Sequence, residues 1–268
     1  MSGNSASEDW WHTSIIEMQP GMIRYHGYAI EELIGRISFP AMIWLMLKGE
    51  LPTDGEADLL GTALMAAVDH GPQAPSIAIA RMAMTCGVGI NNAMASAINV
   101  LGDVHGGAGE QAVSLYNAIA ARIDTGIGIE EAVGEALERE RYVPGFGHRF
   151  HPVDPRAPRL MQVVRDHAAK GTVSGRHADI AEAVEAAIER RKGRRIPMNI
   201  DGATAVIYAE LGFPPELCRG LFVLSRSVGA MAHAFEQMQQ GGRNKGPIPR
   251  NLTWTYDGPP KRQLSDPA

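Results

Sequence analysis

Residues 214–238 read Pro-Pro-Glu-Leu-Cys-Arg-Gly-Leu-Phe-Val-Leu-Ser-Arg-Ser-Val-Gly-Ala-Met-Ala-His-Ala-Phe-Glu-Gln-Met. Leu217, Leu221, Leu224, Val228, Met231 and Phe235 recur at steps of three and four, the period of one helix face. The two leading prolines suit a first helical turn, whose amides need no partner. The run predicts one long, deeply buried helix. The same spacing recurs at Ile30, Leu33, Ile34 and Ile37, and at Ala57, Leu60, Leu64 and Val68. Two further segments repeat it: Leu160, Val163, Val164 and Ala168, then Ile180, Val184, Ala187 and Ile188. Clean period-two alternation of Val, Ile and Thr is missing, so a parallel sheet has no strands to build on. The expected fold class is all-α.

The chain has 268 residues, 45% of them apolar and 21% charged, which excludes a disordered chain. Twenty-five basic against 30 acidic residues give a net charge of −5, so no polycation awaits a phosphate backbone and nucleic acid is not an expected partner. Apolar stretches are interrupted before the ~18 residues needed to span a bilayer. Residues 1–9 have neither the charged nor the apolar region of a secretory signal. Cys86 and Cys218 lie 132 positions apart in apolar surroundings, as two buried thiols of a reducing compartment do. A cytoplasmic protein without a membrane partner is the expectation.

Glycine is in excess: 30 of 268 residues, against a usual ~7%. Gly102, Gly106, Gly107 and Gly109 surround His105; Gly145 and Gly147 precede His148; Gly202 follows Asp201; Gly241, Gly242 and Gly246 end the long helix. Glycine serves where a loop needs positive φ or backbones approach closely. No cluster matches a phosphate-cradling nucleotide loop, because none follows a strand. His148 and His151 are the best local metal pair, but Pro152 and Pro155 break the helix that would align further ligands, so no metal is expected. The basic run Arg190 to Arg195 reads as a solvated C-terminal helix turn, with a landing site for a phosphorylated cofactor as the alternative. His233, inside the long helix, reads as a hydrogen-bonded core residue.

His105, His148 and Asp201 remain, each at a loop–helix boundary. Two imidazoles and a carboxylate suffice for proton abstraction beside a carbonyl: one base for the carbon acid, one donor for the enolate oxygen, one acid for a second carbonyl. Three unrelated loop residues would look the same in sequence.

His105-Gly-Gly-Ala108, Val143-Pro-Gly-Phe-Gly-His148 with Asp154-Pro-Arg156, Asn199-Ile-Asp-Gly202, and Ser225-Arg226 with Gly229, Ala232-His233 and Glu236-Gln237 stand in this order. Together they resemble the citrate synthase superfamily, as do Gly27-Tyr28-Ala-Ile-Glu-Glu-Leu33 and Leu47-Lys-Gly-Glu-Leu-Pro-Thr53, over Thr13 to Gly258. In length and in Asp69-His70-Gly71-Pro72 the chain resembles citryl-CoA lyases and the synthase-like C-terminal module of ATP-citrate lyase. The resemblance implies a large helical domain (residues 1–104 with 201–268) and a small one (105–200) around a cleft, in at least a homodimer. It leaves room for a partner subunit.

By the same resemblance Asp201 is the carbon base, His105 the enolate donor and His148 the acid toward oxaloacetate. His70, Arg156 and Arg226 meet substrate carboxylates. CoA lies along Val143, Pro144, Gly145, Phe146 and Gly147, with Arg149 and Lys245 near its phosphates; it enters as a thioester substrate, and no permanently bound cofactor is implied. The implied reaction is cleavage of citryl-CoA to acetyl-CoA and oxaloacetate. Condensation of an acyl-CoA with a 2-oxo acid is the alternative, and a silent CoA-ester-binding subunit a third. One departure stands out: where the family has an Arg before a Pro near the C-terminus, reaching a substrate carboxylate of the neighbouring subunit, this chain has Ile248, with Arg250 two residues on as the candidate substitute.

Overall fold

The computed structural model describes residues 11–138 and 142–264. Three short strands open it: β1 (Ile16–Gln19), β2 (Met22–Tyr25) and β3 (Tyr28–Ala29). They pair antiparallel in the order β1-β2-β3, with Ile16 opposite Tyr25 and Arg24 opposite Ala29. This sheet was not expected. Strands of four, four and two residues are too short to show alternation, but their turns were legible: Pro20-Gly21, with Gly21 at φ 80°, and His26-Gly27, with φ 46° and 87°.

Helices follow: α1 (Ile30–Leu33), α2 (Phe39–Lys48), α3 (Asp54–Ala66), α4 (Pro75–Thr85), α5 (Ile90–Ile98) and α6 (Ala108–Asp124). Then come α7 (Ile129–Glu138), α8 (Arg156–Ala169), α9 (Arg176–Lys192), α10 (Ile200–Glu210) and α11 (Pro215–Gln240). The expected helix over Ile30 to Ile37 stops after one turn, because Gly35 adopts φ 76° and throws Ile34 into solvent. Helix α3 starts at a capping box: Thr53 Oγ1 accepts from the Glu56 amide while the Glu56 carboxylate accepts from the Thr53 amide. Among the described residues no helix is long and apolar enough to cross a membrane.

Helix α10 lies at the centre. Gly202 to Ala209 are all buried, with α6, α8 and α9 packed around them. One apolar cluster runs from Ile43 and Trp44 through Tyr116, Val133, Leu160, Val184 and Ile207 to Phe213 and Leu221. It is continuous across residues 104/105 and 200/201. A second, Ala-rich cluster joins α4, α5 and α11 through Ile77, Ala80, Ala93, Ala97, Ala230 and Ala234.

Helix α11 is as long as the spacing predicts, but only one side is deeply buried. The packed seam is Cys218, Leu221, Ser225, Gly229, Ala230 and Ala234; Cys218 is buried as expected, whereas Cys86, just past the end of α4, is exposed. Leu224, Val228, Met231, Phe235 and Met238 face outward, 46–51% exposed. Small side chains let α11 approach its neighbours closely; of the apolar residues that carry the sequence signal, Leu221 lies in the seam and Leu217 is half-buried, while Leu224, Val228, Met231 and Phe235 stand on the other face. Gly229 donates its amide to the Val68 carbonyl at 3.1 Å, and a Cβ there would collide with that oxygen.

Candidate active site

A cavity of about 540 Å³ is lined by His70, His105, His148, Arg156, Asp201 and Arg226, together with Gly147 and Arg149. Residues from five separate parts of the chain therefore meet at one cleft.

His105 lies on the loop between α5 and α6, closed by the Gly102 amide donating to the His105 carbonyl at 2.9 Å. The backbone then turns at Gly106, φ 96°. Its Nε2 accepts the Ser76 amide, in the first turn of α4, at 3.2 Å, with Ser76 Oγ 3.0 Å away. A backbone N–H can only donate, so Nε2 is unprotonated and the ring proton of the neutral imidazole sits on Nδ1. Burial holds the His105 pKa below the ordinary imidazole value, aided by the Arg226 charge. His105 is thus a neutral N–H donor.

His148 is wired oppositely. Its Nδ1 accepts the amides of Phe150 at 3.0 Å and His151 at 2.9 Å, so the proton of the neutral ring is on Nε2. Burial lowers its pKa; Asp154 opposes this, and His151 and Arg156 add to it. The His148 ring packs 5.0 Å from His70 and 4.8 Å from His151, centroid to centroid. Burial, then Arg156, His148 and Arg226, likewise lower the pKa of His70.

Asp201 is the second residue of α10. The cap Asn199 accepts the amides of Asp201 at 2.9 Å and Gly202 at 3.2 Å through Oδ1. Its Nδ2 donates to the Gly147 carbonyl at 2.7 Å, and its own amide donates to the Gly145 carbonyl at 2.9 Å. One side chain therefore links the turn carrying Asp201 to the loop leading into His148. The Asp201 carboxylate accepts no hydrogen bond from the described residues, and burial raises its pKa despite the nearby Arg156 and Arg226 charges. A carboxylate so placed can take a proton from carbon.

The two arginines differ. Arg156 makes a two-pronged pair with the buried Asp154, Nε to Oδ1 at 2.9 Å and Nη2 to Oδ2 at 2.8 Å. Asp154 Oδ2 also accepts the Ile200 amide at 3.0 Å, fixing Arg156 to the start of α10. Arg226 is buried; its Nε donates to the Ala67 carbonyl at 3.2 Å and its guanidinium lies over the Phe222 ring at 4.9 Å. No carboxylate among the described residues forms an ion pair with it. Burial lowers its pKa, opposed by Asp69 and Asp201 at longer range. A buried, under-compensated guanidinium is a receptor for an anionic ligand.

The loop over residues 143–147 does not face the cleft throughout. Pro144, Gly145 and Phe146 are buried, and Phe146 bridges to Met198. A Cβ on Gly145 would lie 2.6 Å from the Gly202 Cα, so this glycine serves a crossing of two backbones. Gly147 and Arg149 do line the cleft. Val143 lines a neighbouring 270 Å³ cavity rimmed by Arg191, Lys192 and Arg194, which share Tyr142 with the cleft; the basic run therefore borders a cavity. Lys245 and Arg250 are not brought to the cleft of their own chain. The Lys245 amide docks on Thr85 Oγ1 at 3.0 Å, and Ile248 and Arg250 are exposed beyond it. Among the described residues no three His, Cys, Asp or Glu side chains are grouped to hold a metal.

Sequence reasoning missed Ser76, which tertiary packing brings from 29 residues away. It also gave no role to Asn199, although an Asn two residues before Asp201 at a helix start is a readable capping signal.

The family described as the citrate synthase C-terminal domain matches residues 8–60 and 54–250. A citryl-CoA lyase from Hydrogenobacter thermophilus superposes with a TM-score of 0.84 at 34% identity, covering 95% of this chain and 97% of that one. An ATP citrate lyase from Methanothrix soehngenii, solved with citrate and coenzyme A, has a TM-score of 0.80 at 21% identity over 96% of this chain and 43% of its own, and shares the fold. A citrate synthase from Haloferax volcanii is 31% identical over 196 residues, 72% of this chain and 50% of that protein. A Deinococcus radiodurans citrate synthase is 30% identical, with 51% of its length covered. The chain spans about half the length of the curated relatives it matches. It belongs to the citrate synthase family.

Proposed function

We propose that the cleft cleaves citryl-CoA to acetyl-CoA and oxaloacetate through an enolate. The observation that carries this reading is the end-to-end likeness to a citryl-CoA lyase at 34% identity. The citrate synthase relatives support the reverse condensation as the second reading, and microscopic reversibility lets one set of side chains serve both.

In the condensing direction Asp201 removes a methyl proton from the thioester, and the Nδ1 proton of His105 hydrogen-bonds the enolate oxygen. The Nε2 proton of His148 goes to the 2-oxo carbonyl as the carbon–carbon bond forms. Cleavage runs the same protons backwards: it starts with the proton on Asp201 and His148 Nε2 without one, the hydroxyl proton goes to His148 Nε2, the bond breaks, and Asp201 protonates the enolate carbon. Each positioned acid or base contributes on the order of 10² to 10⁴ in rate. Arg226, Arg156 and His70 bind the substrate carboxylates. CoA reaches the cleft past Gly147 and Arg149 as a substrate.

The outward stripe on α11 supports a homodimer in which a second copy covers Leu224, Val228, Met231, Phe235 and Met238, since large apolar faces seldom stay in water. The two units, residues 1–104 with 201–268 and residues 105–200, would close over the cleft. The test is to supply citryl-CoA, then acetyl-CoA with oxaloacetate, while following thioester and free thiol. Citryl-CoA cleavage supports the lyase; thiol release on condensation without cleavage supports the synthase; folded protein that does neither overturns both.

A further inference from the structure

His70 is held from behind by a chain of hydrogen bonds that the reaction does not use. Asp69 Oδ2 accepts the Gly71 amide at 3.1 Å, closing a turn around His70, and the same oxygen faces His233 Nε2 at 3.3 Å. His233 Nδ1 lies 3.3 Å from Arg81 Nη1. A guanidinium only donates, so Nδ1 is the acceptor and Nε2 carries the proton toward Asp69. Arg81 is itself fixed by Glu236 and by Gln240 at 2.5 Å. The Gly229 amide, one helical turn before His233, holds the Val68 carbonyl at 3.1 Å. Helix α11 thus grips residues 68–71 at both their backbone and their carboxylate. Asp69 Oδ1 is buried without a partner, and the Asp69 charge acts on Arg226. The carboxylate therefore stands behind both the imidazole and the guanidinium that line the cleft.

We infer that His233 is a positioning residue: by donating to Asp69 it fixes the turn that aims His70 at a substrate carboxylate. This rests on the proposed reaction, in which His70 and Arg226 receive a 2-oxo dicarboxylate. Loss of the His233 donor frees the 69–71 turn, and the penalty falls on binding of that acid rather than on proton transfer, which His105, His148 and Asp201 perform.

The test compares His233→Ala, His233→Gln and His233→Asn with wild type, with folding followed by circular dichroism and with oxaloacetate and acetyl-CoA varied separately. Gln places an amide N–H near the position of the imidazole Nε2; Asn is too short. The expected result is a KM for oxaloacetate raised about tenfold in His233→Ala and His233→Asn. The kcat and the KM for acetyl-CoA should stay within about twofold, and His233→Gln should restore the KM to within about threefold. In a His70→Ala background the His233→Ala effect should vanish. If His233→Ala does not fold, the Gln and Asn pair decides: equal KM values overturn the assignment. An unchanged KM in all variants, a fall in kcat alone, or a full effect in the absence of His70 also overturns it. Folded wild type that neither condenses nor cleaves would instead overturn the reaction on which it rests.

Discussion

Gly145 and Gly202 cross with their backbones in contact. A Cβ on Gly145 would sit 2.6 Å from the Gly202 Cα, and a Cβ on Gly202 would collide with the Gly145 carbonyl. The crossing places the loop that leads to His148 directly on the turn that carries Asp201.

Gly202→Ala forces the two backbones apart: the Met198 side chain it also meets can move, but the Gly145 carbonyl cannot swing away. Overpacking of this kind costs about 1–3 kcal/mol. Thermal unfolding should show that loss, and the folded variant should lose activity because His148 and Asp201 no longer share a fixed separation. Full stability with full activity would show that the crossing is loose.

Glu210 gives a stability prediction with a definite sign. Its buried carboxylate accepts the amides of Ser174 and Gly175 at 3.0 Å and of His177 at 2.6 Å, and the Ser174 hydroxyl at 2.9 Å. Burial would raise its pKa, but these donors, His177 first, bring it down to about 2. A depressed folded pKa stabilises fully above the unfolded value of about 4.3 and is lost as pH falls through the folded one. Glu210→Gln should cost on the order of 3 kcal/mol at neutral pH. Denaturant midpoints should show the gap shrinking between about pH 4 and pH 2; a gap independent of pH contradicts the assignment.

Much of this was legible in the chain, for particular reasons. Helices α8 and α9 follow their apolar spacing because each buries one stripe against α10. The glycine clusters marked the loops of the cleft, but the sequence suggested a ligand near Gly145 where the structure has a second glycine. Helix α11 was misjudged for a related reason: period shows that a face is apolar, and says nothing of whether its own chain covers it. Ser76 was invisible because only packing brings α4 against the His105 loop. Resemblance put Arg250 toward the neighbouring subunit's cleft and Lys245 near the CoA phosphates; their own chain keeps both outside its cleft, which nothing local in the sequence could show for Lys245.

The exposed stripe on α11 makes association testable. Met231→Glu, near its middle, should shift the sedimentation coefficient to that of a single chain while leaving helix content unchanged. Wild type sedimenting as one chain at tens of micromolar would contradict the homodimer.

The pH dependence follows from Asp201 and the two imidazoles. The reactive state for condensation has an ionised Asp201 and neutral His105 and His148; cleavage starts from the same proton count with that proton on Asp201 and off His148 Nε2. Burial raises the Asp201 pKa and lowers those of the histidines. As pH falls through the Asp201 value the carboxylate gains a proton and kcat/KM drops. Cleavage and condensation start from the same total number of protons, so their acid limbs should coincide, above the ordinary carboxylate range. Limbs that differ between directions would mean that another group controls the proton.

The most direct test of the central claim is the fate of one proton. Citryl-CoA cleaved in heavy water by the wild-type chain should give acetyl-CoA with a single deuterium in its methyl group, read by mass spectrometry. Asp201→Asn should form that product at least about a hundredfold more slowly while still binding citryl-CoA. Deuterated acetyl-CoA formed at the wild-type rate by Asp201→Asn would contradict the assignment of Asp201 as the group that protonates the enolate.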